Sequence, residues 1–326
     1  MIIRFSSIGD IIVTSPVVRC VKQQTKAELH VLTKAQFAAL YRGNPFIDRI
    51  FELPKSKKSE SEIIDQLKLE DYDLIIDLHK SLRSIYFVWK LNKPSINYNK
   101  INIEKWIHTK VSNRFSLPQK HLVDRYFDSL SKIGIVNDGK GLDYFISPTF
   151  SPELDLVQIT KSKYIIGVLG SAHNTKMIPA EKWRNLFSKH GHKFVLLGGE
   201  KEREMGEQLE KEFSNVQSFA GKTTIDGSAF LILYSQLVIS GDTGMMHLAA
   251  ALKKPILSVW GNTSPSLGMY PYYGKFEIQE WRREVKDLQC RPCSKLGFEA
   301  CPKKHFKCMN DQLIWQEDVE QFFITS

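Results

Sequence analysis

The chain has 326 residues, 42% hydrophobic and 25% charged, the balance of an ordered soluble protein rather than a disordered one. That length suits two α/β domains, each able to bury a core, and no apolar run approaches the length of a membrane span. Lys and Arg outnumber Asp and Glu by 45 to 36, a net charge of +9 that favours nucleic acid, acidic lipid surfaces or phosphorylated sugars as partners. No nucleic-acid-binding module with its aromatic and basic spacing is present, so nucleic acid is not expected.

Met1-Ile-Ile-Arg-Phe5, followed by Ser6-Ser7 and an early Asp10, is not a signal peptide, and a cytoplasmic location is expected. Ile2–Phe5 reads as a strand, Asp10 to about Gln24 as a helix and Leu29–Leu32 as a second strand. Leu74–Leu78 is an apolar run of the kind that is covered on both faces of a sheet. Ser81–Leu91 and Val123–Ile133 read as helices. The pattern fades through Asp143–Thr160, which holds Ser147-Pro148 and Ser151-Pro152, and a linker is placed there. It restarts with strands at Tyr164–Leu169 and Phe194–Leu197, helices at Ala180–Ser188 and Glu200–Glu212, then Ile225–Tyr234, Leu237–Ile239 and Ile256–Trp260. Such alternation predicts an α/β fold of two doubly wound domains, residues 1–150 and 151–326, facing across a ligand-binding cleft. The end of the chain, Leu313–Phe323, reads as a helix.

The densest segment is Ser240-Gly-Asp-Thr-Gly-Met-Met-His-Leu-Ala-Ala-Ala-Leu252. A strand, Leu237–Ile239, turns through it into a helix, leaving backbone N–H groups and the positive end of the helix dipole directed at the strand's carboxyl end. Phosphate is the natural ligand of such a turn, although an ordinary capped helix would look the same. Asp242 would repel phosphate; its carboxylate suits sugar hydroxyls, or helix capping alongside Thr243.

Ser240–Leu252 with Ile256-Leu-Ser-Val-Trp-Gly-Asn-Thr-Ser-Pro265 resembles the C-terminal signature of the ADP-heptose lipopolysaccharide heptosyltransferases, glycosyltransferase family nine. Arg4-Phe-Ser-Ser-Ile-Gly-Asp-Ile-Ile-Val-Thr-Ser-Pro16 is similar to that family's opening segment. Tyr72–His79, Thr175-Lys176 with Pro179, Leu196–Glu200 and Phe219–Thr224 fall between them in the family's order. The resemblance implies a GT-B fold and inverting transfer of a sugar from a nucleotide diphosphate to an acceptor hydroxyl, with no metal required.

It also implies roles. Asp10 stands where the family places the general base, which takes the acceptor's proton; by itself it would read as a helix N-cap. Lys176 would neutralise the leaving diphosphate, although Met177 and Ile178 depart from the basic residue and Trp that often follow this lysine. Ser171, Thr243 and Gly244 would line the phosphates, Asp242 would hold sugar hydroxyls, and His247 either faces the donor or packs in the helix. Glu202, with Glu200 as its rival, would bind the ribose, since both carboxylate oxygens accept hydrogen bonds. Thr223 would meet the adenine edge. Lys80 and Arg83, with Lys100, Lys105 and Lys110, would form a basic N-terminal face for an anionic, Kdo-lipid A type acceptor, or are simply solvated charges. That acceptor implies peripheral association with the inner membrane. Asp71-Tyr-Asp73 imitates a manganese-binding Asp-x-Asp but lies in the wrong domain. The C-terminal helix is expected to cross back onto the N-terminal domain, as in GT-B enzymes.

Cys290, Cys293, Cys301 and Cys308 are spaced as in a tetrahedral four-thiolate zinc site, which would be structural because no ligand position is open. Reduced thiols and disulfides remain alternatives. Other readings of the whole chain are a GT-B enzyme with a different nucleotide sugar or acceptor, and a non-catalytic nucleotide-sugar-binding protein. A nucleotide-sugar epimerase is disfavoured, because its motifs are absent.

Overall fold

The apolar N-terminus forms β1 (Ile2–Ile3), fully buried in the middle of a parallel sheet ordered β3-β2-β1-β4-β5. In this computed structural model residues 1–54, 58–111, 117–118, 120–312 and 316–325 are described. After β1 come α1 (Ile8–Val13) and α2 (Ser15–Thr25). The single helix expected over Asp10–Gln24 is therefore two, because Pro16 opens the second and has no N–H with which to continue the first. The strand expected to reach Phe5 ends at Ile3. Then follow β2 (His30–Lys34), β3 (Arg49–Leu53), α3 (Lys58–Leu69), β4 (Ile75–Asp77), α4 (Leu82–Leu91) and β5 (Ser95–Asn97). Helix α5 (Asn102–Trp106) precedes α6 (Leu122–Leu130), which ends in a 3-10 turn over Ser131–Ile133. Phe5, Leu32, Phe51, Leu67 and Phe87 form the heart of this unit's core.

The presumed linker contains a helix, α7 (Leu154–Thr160), whose Leu156 and Ile159 are buried. From it run β6 (Ile165–Val168), α8 (Ala180–Lys189), β7 (Phe194–Leu197), α9 (Arg203–Glu212) and β8 (Val216–Ser218). Next come α10 (Ile225–Tyr234), β9 (Leu237–Gly241), α11 (Gly244–Ala251), β10 (Ile256–Trp260) and β11 (Glu280–Glu284). The second sheet is parallel in the order β11-β10-β9-β6-β7-β8. Helices α12 (Lys307–Asn310) and α13 (Gln316–Thr325) close the chain.

The two units are Met1–Lys100 with Lys120–Thr149 and Gly274–Phe276, and Ile101–Gln119 with Phe150–Tyr273 and Glu277–Ser326. Lys105 and Lys110 belong to the second unit, so they are not part of a face on the first. Val319 and Phe322 of the C-terminal helix are buried with Trp183, Phe194 and Leu257 in the second unit's core. Leu313–Trp315, the start of the helix expected there, lie outside the described residues.

Candidate active site

Strand order locates a site in each unit. In the first sheet the chain runs outward from β1 to β3 on one side and from β4 to β5 on the other. Loops leaving β1 and β4 therefore diverge, opening a crevice at their carboxyl ends. In the second sheet β6 and β9 flank the same kind of switch point.

Asp10 follows β1, as the third residue of α1. One carboxylate oxygen accepts from the Ser7 backbone N–H at 3.2 Å and from the Ser7 hydroxyl at 2.8 Å. Its other oxygen lies 2.6 Å from Arg4 Nη2. The Arg4 side chain is nearly buried, whereas that of Asp10 is 30% exposed, so the carboxylate is the accessible half of the pair. Burial works against the Arg4 charge, but Asp10 and the surrounding tyrosines leave its pKa raised. Arg4 also donates through Nε to the Ser6 carbonyl and through Nη1 to that of Leu78, tying β1 to the end of β4.

Around this pair the fold gathers His79, Tyr98 and Tyr126. His79 Nδ1 is buried without a hydrogen-bond partner among the described residues, and burial together with Arg4 and Lys100 pushes the ring down to about 4. Tyr98 and Tyr126 meet edge to face at 4.6 Å, and burial pushes both phenols up. The Tyr126 hydroxyl is a second buried polar group with no partner among the described residues. Sequence reasoning quoted Arg4 and His79 within motifs without assigning them roles; for the tyrosines there was no signal, because only the fold brings them here.

Asp77, at the end of β4, accepts from the backbone N–H groups of His79 and Lys80 and from the Ser84 hydroxyl, at 2.9, 2.8 and 2.8 Å. It turns the strand into α4, with Lys80 held in the left-handed region at φ 47°. The Lys80 ammonium donates to the Tyr98 carbonyl at 3.0 Å, and Arg83 pairs with Glu60 at 2.5 Å. Asp71 of the Asp-x-Asp imitation is exposed and paired with Lys93.

In the second unit Lys176, in the loop after β6, lies 2.7 Å from Asp242, just beyond β9. Asp242 also accepts from the Thr263 hydroxyl at 2.9 Å. A Cβ on Gly241 would lie 2.4 Å from the Lys176 carbonyl, so glycine there lets the two loops close up. Thr243, not Asp242, caps α11: its hydroxyl accepts from the Met246 N–H at 3.4 Å and exchanges a bond with Ser240 at 3.0 Å. Gly244 begins the helix, and His247 one turn on is buried.

Ser171 accepts from the His173 N–H at 3.4 Å. Glu202 is buried and accepts from the Gly199 N–H at 2.8 Å. A Cβ on Gly170 would sit 2.5 Å from a Glu202 carboxylate oxygen, which puts this carboxylate against the loop that carries Ser171. Glu200, its rival, points outward to Arg203. Thr223 is engaged with the Ser228 hydroxyl at 2.8 Å.

The four clustered thiols are free and line one cavity of about 530 Å³ together with His108, Lys110, Asn262 and His305. Cys290 Sγ is 3.7 Å from His305 Nε2, a partner the spacing of cysteines could not reveal. Burial pushes the Cys308 thiol up to about 12. Among the described residues no group of three or more His, Cys, Asp or Glu side chains is drawn together closely enough to hold a metal ion.

Two parallel α/β units, one presenting an accessible carboxylate and the other a lysine beside a capped helix N-terminus, fit the GT-B class of glycosyltransferases. Residues 61–294 match the family model for glycosyltransferase family 9 (heptosyltransferase). The chain belongs to that family and is a transferase. It is 24% identical to lipopolysaccharide heptosyltransferase 1 of Campylobacter coli over 80% of this chain and 83% of that protein. It is likewise 24% identical to the enzyme of the same name from Escherichia coli K12, over 85% and 92%. The fold is shared with E. coli heptosyltransferase WaaC solved with ADP, at TM-score 0.70 and 22% identity over 99% of this chain and 98% of that one. A family 9 glycosyltransferase from Veillonella parvula matches at TM-score 0.71 and 19% identity over 100% and 97%.

Proposed function

We propose that this protein transfers a heptose from ADP-heptose to a Kdo or heptose residue of the lipopolysaccharide inner core, with inversion at the anomeric carbon. The observation that carries the reading is the Lys176–Asp242 pair at the β6/β9 switch point, beside the N-terminus of α11. A lysine ammonium and helix N–H groups suit a diphosphate leaving group, and a carboxylate next to them suits hydroxyls of the attached sugar. Relatives named lipopolysaccharide heptosyltransferase, and a neighbour crystallised with ADP-2-deoxy-2-fluoro heptose, support the choice of donor.

In this reading Asp10 takes the proton of the acceptor hydroxyl as that oxygen attacks the anomeric carbon, and ADP departs with its charge met by Lys176, Thr243 and Gly244. Glu202 holds the ribose, Ser171 adds a phosphate contact, Thr223 meets the adenine edge and His247 backs the donor from inside α11. Lys80 and Arg83 receive the anionic, Kdo-bearing lipid acceptor; for this they would have to exchange their present partners, Tyr98 and Glu60. Catalysis proceeds without a divalent ion. The protein works in the cytoplasm, at the inner-membrane surface; no helix among the described residues is long and apolar enough to cross a membrane.

The test is ADP release from ADP-heptose, which is expected only with a Kdo-containing acceptor present and without added metal. Asp10→Asn is expected to keep ADP-heptose affinity while lowering turnover by about 100-fold or more. Near-normal turnover in that variant removes Asp10 from the chemistry.

We also propose a structural zinc held by Cys290, Cys293, Cys301 and Cys308, for which the support is the one cavity that all four thiols line. The ion would have to draw the thiols together, and His305 is a rival ligand. Metal analysis of purified protein is expected to find one zinc per chain, with chelation lowering the melting temperature. Protein without metal that melts identically with and without chelator excludes the site.

A further inference from the structure

Helix α4 is apolar on both faces. Phe87 and Leu91 are buried in the core of the first unit, yet Leu82, Ile85, Tyr86 and Trp89 are 89%, 52%, 41% and 69% exposed. Positions 82, 85, 86 and 89 form one stripe along a helix, where a surface helix ordinarily carries polar residues. The stripe is also flanked by one sign of charge. No carboxylate occurs between Leu82 and Leu91, and the Lys90 ammonium lies 4.7 Å from the centre of the Trp89 ring and 5.7 Å from that of Tyr86. The acids near its two ends, Glu60 and Asp71, are each paired, with Arg83 and Lys93.

We propose that this stripe is the surface by which the protein docks on a bilayer containing anionic phospholipid. The inference rests on the reading that the acceptor is lipid-linked, and it says which face meets the lipid. Leucine and isoleucine side chains enter the acyl boundary, while Trp89 and Tyr86 suit the headgroup level, where an apolar ring and a polar edge are both accommodated. Lys90 then stands opposite headgroup phosphates. A second copy of the chain fits less well. It would bring lysine against lysine, and four side chains on one helix fall short of the roughly 800 Å² per partner of a stable interface.

Full-length protein is sedimented with vesicles of phosphatidylcholine alone and with about one-third phosphatidylglycerol. Binding to the anionic vesicles is expected, falling at least about tenfold in Ile85→Ser/Trp89→Ser and by severalfold in Lys90→Glu. Leu154→Ser, an exposed apolar position on α7, is expected to bind as the parent does. Turnover with a water-soluble acceptor fragment is measured on each variant and is expected to stay at the parent level; its absence in the parent would count against the transferase reading and leave the vesicle result standing. Three outcomes overturn the docking proposal: no binding by the parent, equal binding by the double variant, or an equal loss in Leu154→Ser. So does a parent dimer that the double variant converts to monomer with vesicle affinity unchanged.

Discussion

Lys176 and Asp242 satisfy each other at 2.7 Å with side chains only 15% and 11% exposed, so a diphosphate cannot meet the lysine without also meeting the carboxylate. Opposite effects on binding follow from the two charges. Lys176→Ala is expected to weaken ADP binding by about tenfold or more and to slow turnover, since a charge-assisted contact to the leaving group is lost. Asp242→Asn is expected to leave ADP binding equal or tighter while turnover on ADP-heptose falls, because only the sugar contact is spoiled. Calorimetry with ADP and steady-state rates separate the two; parallel losses of ADP affinity in both variants contradict this division. His79 adds a pH signature. Its folded value, about 4, lies below the ordinary 6.5, so between those values the unfolded chain binds the proton and the folded one does not. Stability is therefore expected to fall as pH drops from about 6.5 to about 4, and His79→Gln should flatten that slope in urea titrations.

Among elements, the β4–α4 turn depends on one side chain. Asp77 satisfies two backbone N–H groups and the Ser84 hydroxyl, and Asp77→Ala is expected to cost about 2–3 kcal/mol in urea unfolding. A loss under half a kcal/mol would mean that water replaces those bonds without penalty. The strands that sequence reading left out share a physical cause. β3, β5, β8 and β11 are the edges of their two sheets. An edge strand has one strand neighbour and a more open flank, so it need not carry an apolar run: β11 is Glu-Trp-Arg-Arg-Glu, and none of its residues is buried. Central strands such as β9 and β10 are buried at every position and announce themselves. Helix α7 escaped because Pro148 and Pro152 precede it, and a proline-marked stretch reads as linker up to the residue where helical spacing resumes.

Across the whole molecule the net charge of +9 should matter most for an anionic acceptor. Raising salt from low to physiological ionic strength is expected to increase the KM for that acceptor severalfold with little change in kcat, as screening shortens the reach of the field. A KM indifferent to salt would confine recognition to short-range contacts.

Sequence alone determined the alternation of strands and helices, the Gly-Asp-Thr-Gly turn into α11 and the family, because each of these is written in local order: apolar runs, capping residues and motifs a few residues long. It also brought Asp10, Lys176 and Asp242 forward as chemically distinct groups. Tertiary structure alone decided that Thr243 caps while Asp242 pairs with Lys176 across 66 positions of chain. It likewise put Glu202 rather than Glu200 under Gly170, gathered two tyrosines and His79 about the Arg4–Asp10 pair, and brought His305 to Cys290. Those facts depend on which strands lie side by side, and strand order follows from the packing of the whole sheet rather than from any segment within it.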